Sequence, residues 1–295
     1  MTLDRLAPAL FVLLWSTGWI VAKYAAPHAD PLTFLALRYA CAAVVFCVII
    51  LATRASMQQS RSAYGHAILS GVFLHGIYLG GVWWAIAQGL PASVSGLIAA
   101  LQPLLTAAIA PLAVGERLRP VQVLGIVLGF VGLLVAILPG LMALAPDQIR
   151  AAILPLTINV IAMASVVAGT LYQKRHLQTG DLRSIAMLQY IGALAVTLPV
   201  AFLIEDMRID FNAEALIALL WSVFGLSLVS IALLLYLIRR GQVSRAASLV
   251  YLVPPAVAIQ SWLYFDEPLT LPLIAGTIVV VAGVWLTNRT PRIPV

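Results

Sequence analysis

Glu116-Arg117-Leu118, followed by Gly125 and Gly132, returns 151 residues later as Glu267-Pro268-Leu269, followed by Gly276 and Gly283. The same offset carries Gly18 to Gly169, Lys23 to Lys174, Asp30 to Asp181, Tyr39 to Tyr190 and Pro103 to Pro254, with no gap. The chain reads as a tandem duplication of residues 1–144 and 152–295, and internal repetition of this kind organises a whole fold. What surrounds the markers is almost wholly apolar. The 295 residues are 62% hydrophobic and 9% charged, where a soluble domain carries about 25% charged residues. A bilayer core of about 30 Å takes about 20 apolar residues per helix. Ten segments meet that length: 6–24, 31–52, 66–88, 91–113, 120–139, 152–174, 183–204, 214–238, 243–264 and 271–288. The expected fold is therefore all-α and integral to the membrane, with ten transmembrane helices.

Charge orients them. Numbering the faces alternately, one face collects Arg5, Arg54, Arg61, Arg117, Arg119, Lys174, Arg175, Arg183, Arg239, Arg240, Arg245, Arg289 and Arg292. The other holds only Lys23, Arg38, Arg150 and Arg208, together with Asp147, Glu205, Asp206, Asp210 and Asp266. Cytoplasmic loops are the ones rich in Lys and Arg, so both termini are expected in the cytoplasm. Five spans per repeat is an odd number. The second repeat then enters from the opposite side, and the halves form an inverted pair about an axis in the membrane plane.

Several classes are excluded. The net charge of +6 is split among short loops, with no basic run to track a phosphate backbone. Cys41 and Cys47 lie in one apolar stretch and read as small buried hydrophobes, not as a disulfide or a metal site. No Walker sequence is present, so ATP hydrolysis, cofactors and metals are not expected. The first apolar run, Leu6–Lys23, has a counterpart in Ile153–Lys174 and reads as a retained span, not a cleaved signal. His28, His66, His75 and His176 are scattered over different segments, so an intramembrane enzyme is the weakest reading.

A polar residue inside a span costs free energy unless it is paired or faces a wet cavity, so polar stripes at helical spacing mark candidate interior faces. Trp15, Trp19 and Lys23 form one, and Gly71, His75, Tyr78 and Val82 another. Ser95, Ala99, Gln102 and Thr106 form a third, and Asn159, Met163, Val166 and Thr170 a fourth. An aromatic wall leading to a cation suits an amphipathic anion or a zwitterion; the plainer reading is a belt tryptophan and a snorkelling lysine. Arg38 lies about 10 Å into the second span. It reads as a substrate contact, a hydrogen bond to backbone carbonyls, or a pair with Asp30. His75 could hydrogen-bond substrate or carry a proton, and it could equally be packed. Gln102 stands beside Pro103, and Tyr251 stands one turn before Pro254 and Pro255. Helices broken at corresponding positions of two repeats point to a midplane site. The candidate substrate-binding set is Trp15, Trp19, Arg38, His75, Tyr78, Gln102, Asn159 and Tyr251.

Glu116 and Glu267 read as helix caps or loop ion pairs. Gly125 and Gly129 read as close packing within one chain, and Trp83, Trp84, Trp262 and Trp285 as interfacial anchors.

Five stretches carry a family resemblance. They are Leu14-Trp15-Ser16-Thr17-Gly18 with Lys23, the segment from Pro31 through Phe34 to Arg38-Tyr39, Leu101-Gln102-Pro103-Leu104, Gly115-Glu116-Arg117-Leu118, and Gly125 with Gly129 and Gly132. Together they resemble the EamA-type branch of the drug/metabolite transporter superfamily over nearly the whole chain. The resemblance implies a ten-span secondary carrier, of a kind that commonly exports amino acids or other small metabolites. The second half departs from the pattern. Gln189 stands where Arg38 would recur, and Asp266-Glu267-Pro268-Leu269 replaces Gly-Glu-Arg-Leu, so the halves have specialised.

No Asp or Glu falls in mid-span, which favours facilitated diffusion or exchange over ion coupling, with His75 the one candidate for a proton. The expected activity is export or exchange of small metabolites by alternating access, most plausibly of amino acids, with hydrophobic or aromatic ones favoured. A nucleotide-sugar or sugar-phosphate carrier of the same superfamily is the alternative. It would want several mid-membrane cations, where this chain has Arg38, with Lys23 at the edge. The expected setting is the inner (plasma) membrane, with a small-molecule substrate, the lipid bilayer as surroundings, no nucleic acid, and a monomer.

Overall fold

Pro31 opens a 23-residue helix because its fixed φ suits the first helical position and Asp30 before it is extended (φ −64°, ψ 133°). That helix ends where Arg54 turns left-handed (φ 49°). Such local signals set the pattern throughout the computed structural model, which describes residues 2–55, 57, 60–114, 119–230, 233 and 250–288. Its helices are α1 Thr2–Ala25, α2 Pro31–Thr53, α3 Arg61–Gly71, α4 Tyr78–Ala87, α5 Ala92–Ala99, α6 Gln102–Val114, α7 Pro120–Met142, α8 Pro146–His176, α9 Leu182–Ile204, α10 Ala213–Leu220, α11 Val253–Phe265 and α12 Leu271–Asn288. Two π-helical segments, Val72–Ile77 and Trp221–Val229, and a 3-10 turn, Val250–Leu252, complete the list. Among the described residues the protein is all-helical, with a single isolated bridge between Ala29 and Ile209.

Six stretches are long and apolar enough to cross a membrane: Pro31–Thr53, Arg61–Ala87, Ala92–Ile109, Pro120–Met142, Pro146–His176 and Leu182–Ile204. Three shorter apolar helices, Ala9–Ala25, Ala213–Val229 and Leu271–Thr287, accompany them. Parts of the eighth and ninth expected spans lie outside the described residues, as do Glu116 and its neighbours Gly115, Arg117 and Leu118.

The chain divides into two compact units, each drawing on both halves of the sequence. The first takes Met1–Ile20, Leu90–Leu154 and Ser230–Val295. Its centre is the pairing of α7 with α12. A methyl group on Gly132 would lie 2.7 Å from the Gly276 carbonyl oxygen, and one on Gly283 would lie 2.6 Å from that of Gly125. The contacts run in opposite senses along the two helices, so the pair is antiparallel. Only glycine lets two backbones approach this closely. Leu97, Leu101, Leu104, Leu273, Val280 and Val284 fill the core beside it. The expectation that Gly125 and Gly129 pack within one chain thus has its partners: Gly283 for the first and Leu104 for the second.

The second unit takes Val21–Gly89 and Pro155–Val229. Here α2 lies along α9, and α3, the first π segment and α4 pack on α9 and α8. Tyr39 and Tyr190 stack into its core with ring centroids 6.0 Å apart. At one end the Ala29 and Ile209 loops are laced by Asp30 N–H to the Arg208 carbonyl (3.0 Å) and Asp210 N–H to the His28 carbonyl (2.8 Å).

Two expectations are corrected. Trp83 is not an interfacial anchor: it is 2% exposed and stacks on Phe34 at 5.3 Å, since its position falls on the face of α4 that packs within the unit. Cys47 is not buried but exposed, and Cys41 is half-buried. Their stretch of α2 has apolar residues on every side, so hydropathy alone did not say which side faces the core. Trp262 and Trp285 are exposed.

Candidate functional site

In the first unit, Pro103 supplies no N–H to the carbonyl four residues back, and its ring crowds that turn. The helix accordingly breaks. The Ala100 and Leu101 N–H groups turn to the Leu97 and Ile98 carbonyls at 3.1 and 3.0 Å, and α6 starts afresh at Gln102. The matching positions 151 residues on, Val250–Leu252, form the 3-10 turn before Pro254 and Pro255. Tyr251 packs against the same core cluster as Leu97, Leu101 and Leu104, so the two breaks come together. Gln102 is half-buried, and its carbonyl accepts from Thr106 Oγ1 at 2.8 Å. On α1, Trp19 is 6% exposed, with its indole N–H buried and without a hydrogen-bond partner among the described residues. Trp15 is 37% exposed and tilts against Phe11 at 5.3 Å. Ser16 Oγ accepts from Gln260 Nε2 at 2.8 Å, a tie between α1 and α11 that the sequence did not suggest.

In the second unit the polar centre is Arg38, 5% exposed. It does not pair with Asp30, whose carboxylate instead accepts from the Arg208 N–H at 2.9 Å. Arg38 Nη2 donates to Ser227 Oγ at a long 3.4 Å, and Ser227 Oγ donates to the Ser222 carbonyl at 3.1 Å within the second π segment. The guanidinium carbon stands 5.9 Å from the Trp83 ring centroid, and Arg38 Nε is buried without a hydrogen-bond partner among the described residues. His75 lies in the first π segment, stacked on Tyr190 at 4.9 Å. A π segment shifts the helical hydrogen-bond register and releases carbonyls. Tyr39 Oη donates to the His75 carbonyl (2.9 Å) and Ser165 Oγ to that of Phe73 (2.9 Å). Tyr78 follows, half-buried, and Asn159 is fully buried on α8. Gln189, the counterpart of Arg38, donates from Nε2 to Ser70 Oγ (3.0 Å) and Gln173 Oε1 (3.2 Å).

The eight expected residues thus divide. Trp15, Trp19, Gln102 and Tyr251 belong to the first unit, and Arg38, His75, Tyr78 and Asn159 to the second. Sequence reasoning missed Ser227, Tyr190 and Trp83 around Arg38. The recurrence of Tyr39 as Tyr190 was the available signal. Nothing in the sequence announced the π segments.

Two carboxylates serve as helix caps supplied by another helix. Glu205, at the end of α9, accepts from Leu32 N–H (2.9 Å), Thr33 N–H (2.8 Å) and Thr33 Oγ1 (2.8 Å). Glu267, after α11, accepts from Ala92 N–H (2.9 Å), Ser93 N–H (3.1 Å) and Ser93 Oγ. Each satisfies orphan donors of a helix N-terminus and complements its dipole.

Membrane-length helices that keep a cation, tyrosines and broken backbone in their interiors define a multi-pass membrane protein. The chain belongs to the EamA-like transporter family, which it matches over residues 6–138 and again over 154–289, and so to the drug/metabolite transporter superfamily. It is 24% identical over 308 residues to a probable amino-acid metabolite efflux pump of Salmonella typhimurium, covering 98% of each chain. To a protein of the same description from Escherichia coli it is 25% identical, over 96% of this chain and 94% of the other. An uncharacterised transporter of Bacillus subtilis is 26% identical over 97% of this chain and 92% of its own. A solved structure superposes with a TM-score of 0.64 at 18% identity, covering 96% of each chain, which supports the fold.

Proposed function

We propose that this transporter exports or exchanges small carboxylates, amino acids first among them, with hydrophobic or aromatic ones favoured. The observation that carries the reading is Arg38, a buried cation facing the Trp83 ring, whose described hydrogen-bond partner is a neutral hydroxyl. A guanidinium in that setting suits one carboxylate, held bidentately. The descriptions of the Salmonella and Escherichia relatives point to the same class. Nucleotide sugars and sugar phosphates fit less well, because Gln189 supplies no second cation at the counterpart position. In the second unit His75, Tyr78 and Asn159 complete the proposed set with Arg38, and in the first unit the proposed contacts are Trp15, Trp19, Gln102 and Tyr251. The architecture we propose is two inverted five-helix repeats, 1–144 and 152–295, working by alternating access. Both termini are cytoplasmic in the plasma membrane, and the carrier acts as a monomer. The double family match and the reciprocal glycine contacts support it.

Counterflow in liposomes tests this. Vesicles preloaded with a pool of amino acids and small metabolites should take up labelled amino acids saturably, with no ion gradient imposed. Gln102→Leu and Tyr251→Ala should reduce that uptake at unchanged yield of folded protein. Saturable counterflow confined to phosphorylated sugars would overturn the substrate class.

A further inference from the structure

We infer that the carrier is an exchanger: Arg38 makes the empty site harder to reorient than the loaded one, so flux in one direction is tied to return of substrate in the other. This rests on the proposed carboxylate site.

Arg38 is 5% exposed, and among the described residues it forms no ion pair. The acids that could have neutralised it are engaged elsewhere. Asp30 faces Arg208, through its backbone N–H at 2.9 Å and its guanidinium at 4.0 Å. Glu205 is occupied by the first turn of α2. Among the described residues Arg38 has one long bond to a serine hydroxyl, an aromatic face at 5.9 Å, and an Nε with no hydrogen-bond partner. A charge so placed is costly wherever water is excluded. Alternating access requires passage through a state closed to both sides. With a carboxylate on the guanidinium, the pair enters that state neutralised and doubly hydrogen-bonded. Empty, the same passage exposes a bare cation to a medium of low dielectric. The carrier therefore returns faster loaded than empty. Gln189 is neutral and engaged by Ser70 and Gln173, so the charge to be matched is a single one. The counter-substrate needs one carboxylate and need not carry an ammonium group.

The test compares two fluxes in proteoliposomes loaded with labelled L-phenylalanine. Efflux into medium containing L-phenylalanine should be at least about tenfold faster than efflux into substrate-free medium, a difference of about 1.4 kcal/mol in barrier. External 3-phenylpropionate, which keeps the carboxylate, should stimulate efflux; phenethylamine, which lacks it, should not. Arg38→Lys should keep the stimulation. Arg38→Gln should bring the two fluxes together, and if that variant does not fold, the wild-type and lysine arms decide. Equal fluxes in the wild type would overturn the exchange inference and leave the carboxylate site standing, whereas stimulation by phenethylamine would overturn the carboxylate site and the part given to Arg38 with it. No saturable flux of L-phenylalanine, with no rise in melting temperature on adding it, would remove the site and the inference together.

Discussion

The α7–α12 pair and the α2–α9 pair are both built around positions 151 residues apart, and what each has kept differs in kind. In α7 and α12 the glycines of the two crossing points are unchanged, Gly125 and Gly132 meeting Gly283 and Gly276, glycine on glycine, while Gly129 and Ala136 between and beyond them have become Val280 and Thr287. In α2 and α9 Leu37, Tyr39, Ala42 and Val45 recur as Leu188, Tyr190, Ala193 and Val196, with Tyr39 against Tyr190. Beside them Arg38 has become Gln189, Phe46 has become Thr197 and Gly76 has become Ser227. A backbone-to-backbone contact tolerates nothing larger than hydrogen, so its symmetry is held by sterics. A side-chain-lined interior has room to vary, and there the two halves could specialise. We read the first pair as scaffold and the second as the seat of the proposed site.

The sharpest way to break this contrast is to treat the pairs alike. Gly132→Leu should be the most damaging change. Its side chain would meet the Gly276 carbonyl and the Val280 N–H at 2.7 Å, both backbone atoms that cannot swing away. Overpacking of a core costs about 1–3 kcal/mol even where side chains can shift, so little folded protein should survive extraction, as size-exclusion profiles would show. Gln189→Arg restores the lost identity of the second pair and should do next most harm. It buries a second cation against Ser70 and Gln173, with no acid among their described partners to receive it, at a cost of about 3 kcal/mol. The measured result should be a lower melting temperature that an added carboxylate substrate partly restores. A neutral outcome for either change would erase the distinction between scaffold and chemistry.

How much of this was legible in advance follows the same division. The 151-residue offset and the apolar runs gave the helices and the duplication, because membrane length and hydropathy are properties of the chain itself. The break at Pro103 and its echo before Pro254 were legible too, since proline acts on its own backbone. The family match over 6–138 and 154–289 agrees with the resemblance read from the motifs. What stayed hidden needed a partner. Trp83 looked like any tryptophan near a span end until Phe34 and Arg38 were placed against it. Glu205 looked like loop charge until Leu32 and Thr33 turned their donors to it. The π segments leave no mark in composition, because a one-residue shift of register keeps every residue in the helix.

The caps of α2 and α9 sharpen the comparison at its smallest scale. Both helices follow an aspartate, Asp30 and Asp181, yet only Asp181 caps its own helix, accepting from Arg183 N–H at 2.9 Å. Asp30 has turned to Arg208, and α2 is capped by Glu205 from α9 instead. Glu205→Ala should therefore cost about 1 kcal/mol, the usual loss on removing a helix N-cap, and should loosen α2 against α9. Asp181→Asn should cost less, and its cost should depend on pH in a defined sense. The hydrogen bond from the Arg183 side chain, aided by backbone N–H groups, holds the Asp181 carboxyl below the usual carboxylate range. A group with a lowered folded pKa contributes stability above its unfolded value, about 3.9, and loses it as pH falls through the folded one. The melting-temperature gap between wild type and Asp181→Asn should hold steady from neutral pH down to about pH 5 and close as the pH drops below the ordinary carboxylate value. Glu205→Ala should loosen α2 rather than α9, so protease or hydrogen-exchange protection lost at the start of α2 in that variant, and at the start of α9 in Asp181→Asn, would show that two helices with matching sequence positions are held by different hands.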